Sequence, residues 1–248
     1  MPLRSASSSF APAGMSSLLR WRPASQCAVC HDWGRQRVCE ACLARFVRPI
    51  ARGQRCAIEV PAGVAVCGRC LSAPPAFART LAALSYAYPW DALVLRFKFG
   101  AGLDLARVLA QQLTACVQAG GDAPPSLVLP VPLAAPRLRE RGYNQAWELA
   151  RRVAHDCGCR ADARLLLRVR DAPHQLALPA DRRAANVRGA FAIEPLRRAE
   201  LQGRTIALVD DVMTTGATAN EAASVLLKAG APSVHVWVLA RTPAPADR

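Results

Sequence analysis

Ile206-Ala207-Leu208-Val209-Asp210-Asp211-Val212-Met213-Thr214-Thr215-Gly216-Ala217-Thr218 is the stretch that decides the fold. Four apolar residues make a buried strand, and two adjacent carboxylates stand at its carboxyl end. A small, hydroxyl-rich loop then opens a helix. In an open α/β sheet, ligands bind at the carboxyl ends of the strands. Backbone N–H groups, three threonine hydroxyls and the positive end of a helix dipole suit a phosphate monoester. Asp210 and Asp211 repel phosphate, but they can accept hydrogen bonds from vicinal hydroxyls or hold a hydrated Mg2+. A phosphate beside a diol describes a ribose 5-phosphate.

Outward from this segment the chain alternates strand and helix. Thr205–Val209 and Val234–Leu239 read as strands, with a helix over Ala217–Ala229 stopped by Gly230. Upstream, Leu127–Val131 is a short buried-type strand that runs into an arginine-rich loop punctuated by Pro132 and Pro136. Asn144–Cys157 is a helix with Ala146, Leu149, Ala150 and Val153 on one face. Leu165–Val169 and Ala190–Ile193 are further strands. Asp91 can cap a helix over Ala92–Phe99, and Leu103–Val117 is another; an apolar stretch, Leu81–Tyr88, precedes both. Residues 170–188 are polar and basic without periodicity. The alternation predicts an α/β domain over 77–242, a parallel sheet with helices on both faces.

Seven of the ten cysteines crowd into 27–70. Cys27-x-x-Cys30 and Cys39-x-x-Cys42 form two knuckles whose thiolates can complete a tetrahedral Zn2+ site. Cys56, Cys67 and Cys70 are one thiolate short of a second. Glu59 is the nearby oxygen donor and His31 the nearby imidazole. The spacing predicts a structural zinc-ribbon module over 27–72, after a disordered leader, 1–26, and before a stiff linker, Ala73-Pro74-Pro75-Ala76. Cys157-Gly158-Cys159 has the wrong spacing for a knuckle and reads as a helix end.

With 52% hydrophobic and 20% charged residues, the 248-residue chain is neither disordered nor a polytopic membrane protein. No stretch reaches the roughly 18 apolar residues of a spanning helix, and no apolar signal-peptide core precedes the cysteines. The expected location is cytoplasmic. Lys98 and Lys228 are the only lysines among 32 basic residues. Such arginine bias, alongside abundant Ala and Pro, reads partly as a GC-rich coding sequence. A net charge of +14 nevertheless favours an anionic partner, whether phosphate ester, nucleic acid or anionic membrane.

The 206–218 segment resembles the phosphoribosyl pyrophosphate (PRPP) signature of type I phosphoribosyltransferases. The chain over about 27–241 resembles the competence protein ComF family, which pairs a double zinc ribbon with such a domain. Further matches are Arg137-Leu-Arg139-Glu-Arg141-Gly-Tyr143-Asn144-Gln145, Arg168-Val-Arg170 with Gln175, Arg182, Arg183 and Asn186, and Val238-Leu-Ala-Arg241. The resemblance implies that Asp210 and Asp211 hold the ribose hydroxyls as the catalytic pair. Val212, Met213, Thr214, Thr215, Gly216, Ala217 and Thr218 would cradle the 5-phosphate. The loop Val131–Pro132–Leu133 would bind pyrophosphate, with Arg137, Arg139 and Arg141 supplying charge. Residues 170–188, with His174 a candidate base, would be a hood that closes over the site. The family usually has a full knuckle where Cys56 stands alone. Ala57-Ile58-Glu59-Val60-Pro61 fits the residues after that knuckle's second cysteine, which implies that the first cysteine is deleted and that Glu59 does not replace it.

Two functions follow from the resemblance. One is a Mg2+-dependent phosphoribosyltransferase acting on PRPP, in a protein linked to natural competence and DNA uptake. The other is a single-stranded-DNA-binding uptake factor, a partner of DNA-uptake proteins, whose phosphoribosyl site is regulatory or vestigial. Segments 77–120 and 170–188 show no base-binding pattern that would name an acceptor.

Overall fold

A computed structural model describes residues 24–100, 102–170 and 187–244. The 1–23 part of the expected leader, and the hood candidates His174, Gln175, Arg182, Arg183 and Asn186, lie outside the described residues.

Four parallel strands form the central sheet: β3 (Arg79–Ser85), β4 (Leu127–Pro130), β7 (Thr205–Met213) and β8 (Ser233–Arg241), in the order β3-β8-β7-β4. The central position of β7 and β8 explains their nearly unbroken apolar runs, since each is covered on both faces. At the edge, β3 alternates half-buried with buried residues. Successive side chains of one strand feed opposite faces. Ala207 and Val209 join the core under α3 (Trp90–Phe99), α4 (Ala106–Ala119) and α6 (Gln145–Asp156). Ile206 and Leu208 join the core under α7 (Ala217–Lys228). Helices therefore cover both faces.

Several elements differ from expectation. The apolar stretch at 81–88 is the C-terminal part of β3 and the turn after it. Helix α3 begins at Trp90, so Asp91 lies inside its first turn; its carboxylate accepts from the Ala92 N–H at 2.8 Å rather than capping from outside. Residues 135–141, read as loop, form a short helix, α5 (Ala135–Arg141), started by Pro136 and stopped by Gly142 at φ 76°. The strands at 165–169 and 190–193 exist as β5 (Leu166–Arg168) and β6 (Phe191–Ile193), but they pair antiparallel with each other, outside the main sheet. Short strands flanking a long polar segment carry no signal of which sheet they join. The Cys157–Cys159 stretch ends α6 as expected, through Gly158 at φ 67°.

The cysteine-rich segment is built twice on one plan. Strands β1 (Ser25–Gln26) and β2 (Trp33–Gly34) close the first half, and helix α1 (Glu40–Phe46) follows Cys39. In that half the Cys27 N–H donates to the Asp32 carbonyl (2.8 Å), Ala28 to Arg37 (2.8 Å), and His31 to Cys27 (3.0 Å). In the second half Gly53 donates to Ile58 (2.9 Å), Gln54 to Ala65 (2.8 Å), and Ala57 to Gly53 (2.8 Å). His31 and Ala57 are the non-glycine residues with positive φ among the described residues, 65° and 52°. Cys39 and Cys67 precede α1 and α2 (Gly68–Ser72) with near-identical dihedrals, φ −72° with ψ 158° and 155°. Cys56 thus matches Cys30, and Gly53 occupies the position of Cys27.

The missing cysteine has accordingly been replaced by Gly53, not deleted. The sequence expectation of a deletion fails because the knuckle keeps its two-residue spacer and only its first position lacks a sulfur. Glu59 pairs with Arg52 in a backbone bridge at the place of Trp33, and its carboxylate does not join the Cys56, Cys67 and Cys70 cluster.

Both halves pack on the α/β domain. Cys27, Val38 and Cys42 belong to the core under α3 and α4, and the Trp90 indole N–H donates to the Phe46 carbonyl at 3.0 Å. The second half runs beside β3, where the Thr80 N–H donates to the Gln54 carbonyl (2.9 Å) and its hydroxyl to the Arg55 carbonyl (2.7 Å). This shields a sheet edge that would otherwise offer unpaired backbone groups. The stretch 73–76 is non-helical as expected, and the Ala76 N–H donates to the Asn220 side chain in α7 at 2.7 Å.

Candidate functional site

The acid pair sits at the carboxyl end of β7, in the middle of the sheet. Alternation sends the two side chains to opposite faces. Asp210 is half-buried and Asp211 buried, and the Asp211 N–H donates to Asp210 Oδ1 at 2.8 Å. Withdrawal from water, reinforced by the neighbouring Asp211 charge, pushes the Asp210 carboxyl well above the usual carboxylate range. Lys98 opposes this, with Nζ 3.2 Å from Asp211 Oδ1.

Lys98 was absent from the sequence-based candidates. The available signal was compositional: in a chain that writes arginine almost everywhere, a lysine at 98 stands out. It is held by the 141–145 block. Tyr143 Oη donates to the Phe97 carbonyl, Gln145 Nε2 to the Lys98 carbonyl at 3.0 Å, and the Arg141 guanidinium lies over the Phe99 ring at 4.4 Å. Three consecutive residues at the end of α3 are each gripped by this block. Asn144 caps α6, accepting from the Ala146 N–H (2.9 Å), and its Nδ2 donates to the Val131 carbonyl (3.1 Å). The loop after β4 is thereby tied to the same block.

Beyond the acids the chain curls around a cup of about 40 Å3 lined by Asp210 and residues 212–219. Gly216 adopts φ 82° at the N-terminus of α7, a conformation that glycine reaches without strain. Thr214 is exposed, while Thr215, Ala217 and Thr218 are half-buried. Thr215 Oγ1 accepts from the Ala217 N–H at 3.3 Å. Met213 lines the cup and also packs into the core under α7. Two arginines hold the loop from behind. Buried Arg241 donates through Nη1 to the carbonyls of Met213 (3.0 Å) and Thr214 (2.6 Å), and through Nε to that of Cys56 (2.9 Å). Arg69, between Cys67 and Cys70, donates to the Thr215 carbonyl at 3.1 Å.

Of the arginines expected to supply charge, Arg141 interacts with the acid pair. Its guanidinium feels the Asp211 charge and, among the described residues, its buried Nε–H has no acceptor. Arg137, one turn earlier on the same face of α5, adds its charge to Arg141, whereas Arg139 is exposed two residues away.

Cys27, Cys30, Cys39 and Cys42 lie with their sulfurs all within 4.8 Å of one another, as do Cys56, Cys67 and Cys70. The Cys30–Cys39 sulfurs are 3.6 Å apart and the Cys56–Cys67 sulfurs 3.5 Å. Tetrahedral zinc with Zn–S near 2.3 Å requires about 3.8 Å. All ten cysteines are free thiols. Although burial opposes it, backbone N–H groups of residues 29, 30 and 39 bring the Cys27 thiol down to about 6, favouring the thiolate that a metal needs. The four-cysteine cluster fits structural zinc.

The family model described as "Phosphoribosyl transferase domain" matches residues 101–248. DNA utilization protein YhgH of Salmonella typhimurium is 34% identical over 214 residues, 85% of this chain and 91% of that protein. Competence protein F of Haemophilus influenzae is 35% identical over 182 residues, 71% of this chain and 78% of that protein. The chain belongs to the ComF family. Its α/β unit is a phosphoribosyltransferase-type domain preceded by cysteine clusters consistent with a zinc ribbon. Among solved structures, a Bacillus subtilis glutamine PRPP amidotransferase is 20% identical across 56% of this chain and 27% of its own, with a TM-score of 0.38. TT1426 from Thermus thermophilus covers 58% of this chain and 86% of its own at 20% identity, with a TM-score of 0.34. Among the described residues of this ComF-family chain, no helix is long and apolar enough to cross a membrane.

Proposed function

We propose that this protein binds PRPP, or a related ribose 5-phosphate ligand with Mg2+, and serves DNA uptake in the cytoplasm. The observation that carries the reading is the continuity of the acid pair with the cup. Asp210 and Asp211 lie in the last four residues of a central strand, which runs past the expected end at Val209 to Met213, and the chain then curls into the N-terminus of α7. The carboxylates would accept hydrogen bonds from the ribose hydroxyls, and the cup, on the scale of a single phosphoryl group, would take the 5-phosphate. Two carboxylates, one already paired with Lys98, suit Mg2+ only if ligand oxygens complete its shell. Bound Mg2+ would neutralise pyrophosphate. Arg141 and Arg137 would add positive charge on the side of the loop after β4 as pyrophosphate departs.

Calorimetry with Mg2+ tests this: wild type should bind PRPP, and the Asp210→Asn, Asp211→Asn double variant should lose that binding. No heat from wild type at millimolar PRPP would overturn the reading. A second reading is favoured by the relatives' names and by the +14 net charge. In it the protein binds single-stranded DNA and the phosphoribosyl site is regulatory. The double variant then keeps its DNA affinity.

A further inference from the structure

The repeated plan of the cysteine segment locates the missing thiolate. Gly53 stands where Cys27 stands in the first half, with the same backbone hydrogen bonds on either side. In the first half the Cys39 N–H donates to Cys27 Sγ at 3.4 Å. In the second, a Cβ built on Gly53 would lie 3.7 Å from the equivalent nitrogen, that of Cys67, and 3.6 Å from Val60 Cγ1. These are ordinary contacts, and Gly53 does not have a positive φ. The place for a cysteine is intact; only the donor is absent from the sequence.

The other three donors remain assembled. Cys56, Cys67 and Cys70 keep their sulfurs within 4.8 Å of one another, and among the described residues no fourth Cys, His, Asp or Glu joins them. Zinc held by three protein ligands keeps a position for an exogenous one. Cys67 is half-exposed, while Cys56 and Cys70 help line a cavity of about 460 Å3. Gly53 is buried but lines a separate cavity of about 490 Å3, and that cavity is the route for exchange at its position. Three thiolates on a dication leave a net charge of −1, and Arg69 and Arg241 flank the cluster, one adjoining Cys70 in sequence and the other bonded to the Cys56 carbonyl. Those cations offset that charge and favour an anionic fourth donor over a neutral one.

We propose that Cys56, Cys67 and Cys70 form a zinc site with an exchangeable fourth position at Gly53, occupied by water at rest and open to a small thiolate. Binding of the thiol forms one Zn–S bond, releases the water and gives a proton to solvent. No electron is transferred.

Cobalt substitution of the full chain reads this directly. Wild type should hold two Co2+ per chain, and 2-mercaptoethanol should shift and intensify the d–d bands of one of them. Gly53→Cys should hold two, show the four-thiolate spectrum unaided and ignore added thiol. Should that variant fold poorly, Cys67→Ala in the wild-type background should remove one metal and all response to thiol. One metal per chain in wild type, or a Cys56–Cys67 disulfide in its place, would overturn the proposal. So would two metals whose spectrum does not move with thiol.

Discussion

Raising the pKa of a folded carboxyl makes its ionised form a load on the fold, and Asp210 is such a group. Below about pH 4 it is protonated in both the folded and unfolded chain, and the effect vanishes. As pH rises toward the elevated folded value, the unfolded chain releases its proton first, and stability falls. Asparagine at 210 keeps an oxygen to accept the Asp211 N–H, which approaches Oδ1 at 2.8 Å, yet carries no charge. Asp210→Asn should therefore be more stable than wild type at pH 8, on the order of 1 kcal/mol or more since each pKa unit is worth about 1.4 kcal/mol. Thermal melts should show a rise of about 2–4 °C per kcal/mol for a chain of this size. The gap should close as pH falls toward 4. Equal melting temperatures at pH 8 would mean that the acid pair is tolerated without cost. A gain in stability paired with loss of PRPP binding is the pattern expected of a functional strain, not of a solvated turn.

Elements supply what a single residue cannot, and the end of α3 shows how. Its last residues carry Lys98 to Asp211, but the grip comes from residues 141–145, far along the chain. Tyr143→Phe removes the hydroxyl that donates to the Phe97 carbonyl. It should cost about 1 kcal/mol of stability and weaken PRPP binding several-fold in the same calorimetric assay, because Lys98 loses its footing. Unchanged PRPP affinity with lowered stability would assign the block to the fold alone. The strand–acid–loop–helix run at 206–218 was legible because periodicity, charge and small residues all fall within thirteen consecutive positions. The Lys98–Asp211 pair was not, since sequence spacing carries no information on contacts between α3 and β7. The same limit misread the second ribbon half. Gly53 offers no sulfur to match against Cys27, so their equivalence is invisible in the sequence, while backbone hydrogen bonds display it at once. The helix at 135–141 was passed over because three prolines nearby read as loop, although Pro136 opens a helix readily from its first turn.

At the scale of the whole molecule, the sheet brings separate segments to one end, and the net charge asks what that end meets. Arg141 comes to the acid pair with Arg137 beside it; Arg69 and Arg241 brace the loop that follows it. Arginines already engaged with backbone carbonyls are less available to a polyanion, so much of the +14 must act from the remaining surface if it acts at all. Composition alone could not separate these populations. A single-stranded oligonucleotide can, because each phosphate neutralised by the protein releases condensed counterions, with a log–log slope of about −0.7 per contact. If the surface is an interface, affinity for a short oligonucleotide measured by fluorescence anisotropy should fall at least about tenfold between 50 and 200 mM salt. The Asp210→Asn, Asp211→Asn variant should follow the same line, since neither carboxylate faces a DNA phosphate favourably. A flat salt response would reduce the arginine excess to coding bias. A double variant that binds the oligonucleotide much more tightly would instead place the strand across the acid pair, merging the two functions into one site.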